Sequence, residues 1–270
     1  RELDLAVETG LARFPLFALA GPRAVELARK YAKHYDKWPT LVGYNCDEPS
    51  RNLDKQVQES AADWHIKGFK TGTAIGPSVW LLGRHLDVWC IGVASNNIFL
   101  EELADQQKAE VWNYNHGLRG TNAALNRYQT GLYCFATRPK ALLLWAYMND
   151  KNSMVRPDGK WNALRVNEHA LGTPDGPLST VGLEGFRDGT IDYRILRTLE
   201  ETILADPKHP TAPAAAAWLQ ELVERVEWRF WPGGVEPYGY YWDVPDTAVP
   251  PVDFTAMRKQ ACLYLQEMGK

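Results

Sequence analysis

Short, almost uninterrupted apolar runs alternate along this chain with longer amphipathic stretches, and that alternation constrains the fold more than any other feature. The runs cover residues 14–20, 41–46, 70–75, 86–92, 110–115 and 141–147. They lack the every-other-residue polarity of a half-exposed sheet, which predicts strands covered on both faces. Helical spacing separates several of them, clearest at 22–36 and 52–66 and more diffuse at 99–109 and 123–138. Strand and helix in alternation predict parallel strands joined by crossover helices.

A (β/α)8 barrel and a doubly wound open sheet both satisfy this pattern. No G-x-G-x-x-G follows a strand and no G-x-x-x-x-G-K-[ST] occurs, so the nucleotide-binding open sheets lose their main support. The expectation is an α/β fold of the (β/α)8 TIM type. Only about six of the eight strands can be counted, so the barrel reads as incomplete, with two strands upstream of residue 1. The chain begins in mid-pattern, Arg1-Glu2-Leu3-Asp4-Leu5-Ala6-Val7, with neither initiator methionine nor helix cap, and reads as a piece of a longer precursor. A signal peptide on that upstream part would make the protein secreted or periplasmic; the compartment is otherwise not readable. Residues 1–206 are expected to form the partial barrel. Residues 207–270 are expected to form a helical C-terminal extension, with helices at 212–230 and 253–268 around a Pro/Gly/Tyr-rich loop at 231–251.

Composition narrows the partners. At 270 residues and 45% hydrophobic content the chain can bury a sizeable core. Thirty basic and thirty-three acidic residues leave a formal charge of -3 with no basic run, so nucleic acid is not expected as a partner. No apolar stretch approaches the roughly 20 residues of a membrane span. Cys46, Cys90, Cys134 and Cys262 are widely spaced and predict neither a zinc site nor a disulfide framework. Eleven Trp and twelve Tyr exceed what a core of this size needs and suit a groove that stacks on sugar faces.

If the strands are parallel, chemistry collects at their C-terminal ends. The second run ends in Tyr44-Asn45-Cys46-Asp47-Glu48-Pro49, an adjacent pair of carboxylates. Such a pair suits an active site and equally suits the cap of a following helix. The other ends offer Asn96, then Tyr114 and His116, then Tyr147, with Trp112 and Trp145 inside their strands. These groups suit a polyhydroxylated ligand, that is, a carbohydrate substrate. His116 is the only histidine at these ends, so no metal and no cofactor is expected.

An ordinary retaining glycosidase needs two carboxylates about 5–5.5 Å apart, usually on different strands, and no second well-placed acid occurs here. Substrate-assisted hydrolysis needs none. The sugar's 2-acetamido oxygen attacks the anomeric carbon, Glu48 protonates the leaving oxygen, and Asp47 holds the acetamido N–H and balances the charge of the oxazolinium.

The segment from Pro177 to Leu196, PLSTVGLEGFRDGTIDYRIL, resembles the P-S-x-R-x-E-A-x-R-x-G-I-x-D-Y-x-Y-L signature of glycoside hydrolase family 123-like catalytic domains. Val181-Gly182 stand where that pattern has its arginine. Glu110 to Tyr114, Leu143 to Tyr147 and Tyr44 to Pro49 resemble the family's other strand motifs. The resemblance implies a TIM-type barrel, exo-acting β-N-acetylgalactosaminidase activity by the substrate-assisted route, Asp47 as the acetamido-orienting residue and Glu48 as the acid. Tyr44, Asn96, Trp112, Tyr114, His116, Trp145, Tyr147 and Glu184 are the expected substrate contacts. A non-catalytic carbohydrate-binding member, or a glycosidase for sugars without a 2-acetamido group, is the alternative. Glu184, Arg187, Asp188, Asp192 and Arg194 sit at helical spacings, and we expect them mainly to form a structural network in which Arg187 and Arg194 neutralise the acids.

Overall fold

The computed structural model describes residues 4, 7–8, 16–18, 21–38, 40–75, 78–92, 98–115, 123–144, 170–173, 176–226 and 252–269. The chain divides into two compact units, Arg1–Tyr114 and Asn115–Lys270.

In the first unit, five strands pair in parallel and in sequence order: β1 (Leu16–Ala18), β2 (Leu41–Tyr44), β3 (Lys70–Ala74), β4 (Val88–Gly92) and β5 (Glu110–Asn115). Helices α1 (Pro22–Arg29), α2 (Asp54–Ile66), α3 (Val79–Leu82) and α4 (Ile98–Gln107) fill the crossovers. The expected parallel strand–helix alternation is present. The expected (β/α)8 TIM-type barrel is not: five parallel strands form an open half-barrel, and closure of this class requires eight strands at matched tilt and shear.

Packing explains why the sheet reads as continuously apolar. Val88, Trp89, Cys90 and Ile91 are all buried, so β4 is covered on both faces. Trp89 joins Val57 of α2, Val79 and Leu82 of α3, Leu100 and Ala104 of α4 and Val111 of β5 in one cluster, and its indole donates to the Gly83 carbonyl at 2.9 Å. A second cluster unites Val25, Leu41, Trp64 and Phe69, with Trp64 and Phe69 edge to face at 5.5 Å. Gly43 is required there, because a Cβ would lie 2.1 Å from the Trp64 ring.

The second unit is mainly helical. It contains α5 (Ala123–Tyr128), a π-helical segment (Gln129–Tyr133), α6 (Cys134–Thr137), a short strand β6 (Ala141–Leu144) and an antiparallel hairpin of β7 (Ala170–Thr173) and β8 (Gly176–Ser179). The 25-residue helix α7 (Val181–Ala205) follows, then α8 (Ala212–Glu224) and α9 (Phe254–Glu267). Thr180 caps α7 by accepting from the Leu183 N–H, and Asp253 caps α9 by accepting from Thr255 and Ala256.

A buried carboxylate organises these helices. Asp192 of α7, with a fully buried side chain, accepts from Arg127 Nε of α5 at 2.6 Å and from Arg258 Nε of α9 at 2.7 Å. Arg258 also reaches the carbonyl and carboxylate of Asp188. Of the acids expected to be neutralised within their own helix, Glu184 is, by Arg187 at 2.8 Å, whereas Asp188 and Asp192 are met by arginines from two other helices. Close approach of α5 to α7 depends on glycine. A Cβ on Gly185 would lie 2.1 Å from the Ala123 carbonyl oxygen, and one on Gly189 would lie 1.9 Å from Thr130 Oγ1 and 2.5 Å from the Arg127 carbonyl oxygen.

Gly189→Ala should therefore cost about 1–3 kcal/mol, read as a lower urea midpoint, because backbone on one side of the contact cannot yield as a side-chain tip can. A second expectation concerns pH. The Asp54 carboxyl is held below its usual range by its hydrogen bond with His85, assisted by Arg84. A lowered carboxylate contributes stability above its unfolded value of 3.8, and that contribution is lost as pH falls through the folded value. Asp54→Asn should flatten the acid limb of a stability–pH curve, and an unchanged limb would refute the assignment.

Candidate functional site

The site is built where β2 leaves the sheet. Register places Tyr44 beside Gly72 of β3, and the next residue, Asn45, continues the ladder by donating its N–H to the Gly72 carbonyl at 2.9 Å. The buried Asn45 carboxamide then ends the strand. Its Nδ2 donates to the Val57 carbonyl at 3.2 Å and to Thr71 Oγ1 at 3.4 Å, and its Oδ1 accepts from the Cys46 N–H at 2.8 Å. Thr73 Oγ1 donates to the Cys46 carbonyl at 2.6 Å. Two β3 side chains and one α2 carbonyl thereby fix the backbone just before the acids.

Asp47 and Glu48 follow, both exposed, and Pro49 is buried again. Neither acid caps a helix. The 3-10 turn Arg51–Leu53 has Ser50 at its N-cap, and α2 has Leu53, neither with a side-chain capping bond. Asp47 Oδ1 accepts from the Tyr44 hydroxyl at 2.5 Å, within the range of a charge-assisted O–H···O bond. Burial and donation to Asp47 push the Tyr44 phenol up to about 12, so it stays protonated as a donor across the neutral range. Glu48 has φ 41°, in the left-handed region. For a non-glycine residue that conformation costs roughly 1–2 kcal/mol, and such strain concentrates at functional positions.

Tyr44 stands at the acid pair. Trp112 of β5 is buried at 1% exposure and donates its indole N–H to Glu110 at 3.1 Å. Tyr114 lies in β5, and the description of its side chain falls outside the described residues, as do Asn96, His116, Trp145 and Tyr147 entirely. Glu184 is exposed in the first turn of α7, in the second unit, paired with Arg187. Asn45 and Thr73 were not among the expected residues; a carboxamide within an apolar run, ahead of two acids, was the available signal. Among the described residues no group of three or more His, Cys, Asp or Glu is placed to hold a metal, and no helix is long and apolar enough to cross a membrane. A cavity of about 240 Å³ between Arg29, Trp38, Leu41, Phe69 and Lys70 opens at the amino ends of β2 and β3, away from the acids.

No family model and no curated protein matches this sequence. Among solved structures, the fold is similar to that of a family 123 glycoside hydrolase from Clostridium perfringens, described for glycolipid glycan hydrolysis, with TM-score 0.57 at 13% identity. The similarity covers 91% of this chain and 45% of that one, so this chain spans less than half of its structural neighbour.

Glycine adopts positive φ without the Cβ clash. Glu48→Gly should raise stability by about 1 kcal/mol in urea unfolding, the strain relieved exceeding the entropy added to the unfolded chain. A fall in stability would mean that the Glu48 side chain makes contacts that outweigh its backbone strain.

Proposed function

We propose that this chain carries the acid pair of a glycoside hydrolase that cleaves a terminal N-acetyl-β-hexosaminide, most simply an N-acetyl-β-galactosaminide, by substrate-assisted retaining hydrolysis. Glu48 is the general acid and Asp47 orients the 2-acetamido group. The observation that carries this reading is the state of the pair. Two adjacent exposed carboxylates stand at the C-terminal end of a parallel strand, neither serves as a helix cap, one is braced by a phenol, and the other is held in a strained backbone conformation. The fold likeness to a family 123 glycoside hydrolase supports it from an independent direction.

The chemistry follows from the placement. Asp47 keeps Oδ1 on Tyr44, so Oδ2 is the oxygen that receives the acetamido N–H of a bound sugar. That hydrogen bond turns the acetamido carbonyl oxygen toward the anomeric carbon. As the ring oxazolinium forms, its positive charge develops beside the carboxylate. Glu48, one residue on, delivers its proton to the departing glycosidic oxygen, then takes a proton from the water that opens the oxazolinium with net retention.

Aryl N-acetyl-β-hexosaminides test this directly. Glu48→Gln should lower kcat by roughly 10²–10⁴-fold with folding intact, and the matching 2-hydroxy glycosides should be poor substrates for the parent protein. Equal turnover of both glycoside types would remove the acetamido group from the mechanism, and full activity of Glu48→Gln would remove the assigned acid.

A further inference from the structure

Tyr44 was expected to touch the sugar, yet its hydroxyl points along its own strand exit to Asp47 Oδ1 at 2.5 Å. The phenol is itself held. Thr73 and the Ala74 backbone N–H lie against its oxygen from β3, and Tyr44 is the last residue of β2, in register with Gly72. Asp47, in contrast, is exposed and lies beyond the strand, with no other side-chain hydrogen-bond partner among the described residues. A short carboxylate side chain in that position samples several rotamers, and fixing one of them beforehand lowers the cost of forming the charged intermediate.

We propose that Tyr44 is a positioning residue, one that acts on the reaction through Asp47 by locking its carboxylate with Oδ1 engaged and Oδ2 presented to the ligand. The inference rests on the reading of Asp47 given above and goes beyond it in assigning Tyr44 a role that needs no contact with the sugar. No covalent step is added. The phenol keeps its proton throughout, and only the orientation of its acceptor is at stake.

A phenol acting through Asp47 and a phenol touching the sugar make different predictions for a double-mutant cycle. Tyr44→Phe alone should lower kcat on an aryl N-acetyl-β-galactosaminide by about 10- to 100-fold, the loss expected for one hydrogen bond to a charged group, with KM nearly unchanged. Asp47→Ala alone should be slower still. If Tyr44 works through Asp47, the Tyr44→Phe/Asp47→Ala double variant is no slower than Asp47→Ala. A double variant slowed by the full Tyr44→Phe factor would overturn the proposal, because the phenol would then act on the substrate itself. Proton NMR at low temperature gives a reading independent of turnover. The short phenol–carboxylate proton should resonate far downfield of the amide envelope in the parent protein and vanish in both single variants. Its presence in a parent that turns over 2-acetamido and 2-hydroxy glycosides equally would sustain the Tyr44–Asp47 brace and sink the substrate-assisted reading, whereas its survival in Asp47→Ala would sink the brace.

Discussion

The Asn45 carboxamide is the interaction on which the exit of β2 depends. Its three partners belong to α2, β3 and its own following residue, so one buried side chain ties a helix, a strand and a loop together. Burying an amide without partners costs about 1–3 kcal/mol, and here both ends of the group are satisfied. Thr71 and Thr73 extend the same logic: their hydroxyls meet the Gly43 and Cys46 carbonyls, so the β2–β3 seam carries side-chain bonds besides its backbone ladder. Gly43 completes the arrangement by admitting the Trp64 ring against the backbone of β2. Two residues beyond Asn45 the chain reaches the acids with little freedom left.

The second unit solves a different problem by a similar device. A fully buried carboxylate costs several kcal/mol in lost hydration, and Asp192 recovers it with two arginines from separate helices. Arg127 in turn lies over the Phe254 ring at 4.7 Å, so the charge network and the apolar packing of α9 share one side chain. The glycines at 185 and 189 let α7 and α5 approach closely enough for this geometry, which makes the charge pairing and the small-residue contact mutually dependent. The result is positional fidelity of three helices.

Most of the strand–helix alternation was legible because burial on both faces leaves a contiguous apolar run, and β2 to β5 fall inside the runs read from sequence. Barrel closure was not legible. It depends on strand number, tilt and shear, which are properties of the whole sheet that no local pattern encodes. The helical pattern at 123–138 was visible, but the π-helical turn at Gln129–Tyr133 within it was not, since a five-residue segment is too short for a change of hydrophobic period to register. The acid network of α7 was visible as spacing, while its arginines at 127 and 258 lie 65 and 66 residues from Asp192, beyond any helical period. At the site, the acids were legible from their place after an apolar run. The bond from Tyr44 was not, because a tyrosine three residues before an aspartate can face a ligand, the core or the carboxylate equally well.

The two acids are neighbours in sequence but are restrained by different means, and the difference matches the work proposed for each. Asp47 is restrained through its side chain: the phenol fixes one carboxylate oxygen while the backbone there has ordinary conformation. A group that must orient an acetamido N–H and face a growing positive charge gains from that, since misorientation would be paid at the transition state. Glu48 is restrained through its backbone: a positive φ sets the direction in which its Cα–Cβ bond leaves the chain, while its longer side chain keeps its torsions. A general acid that later removes a proton from water must serve two oxygens in slightly different places. Fixing the root and leaving the tip free allows both. The strain at Glu48 is then offset by the bonds immediately upstream, because Asn45 and Thr73 hold the loop in a shape that a relaxed glutamate would otherwise abandon.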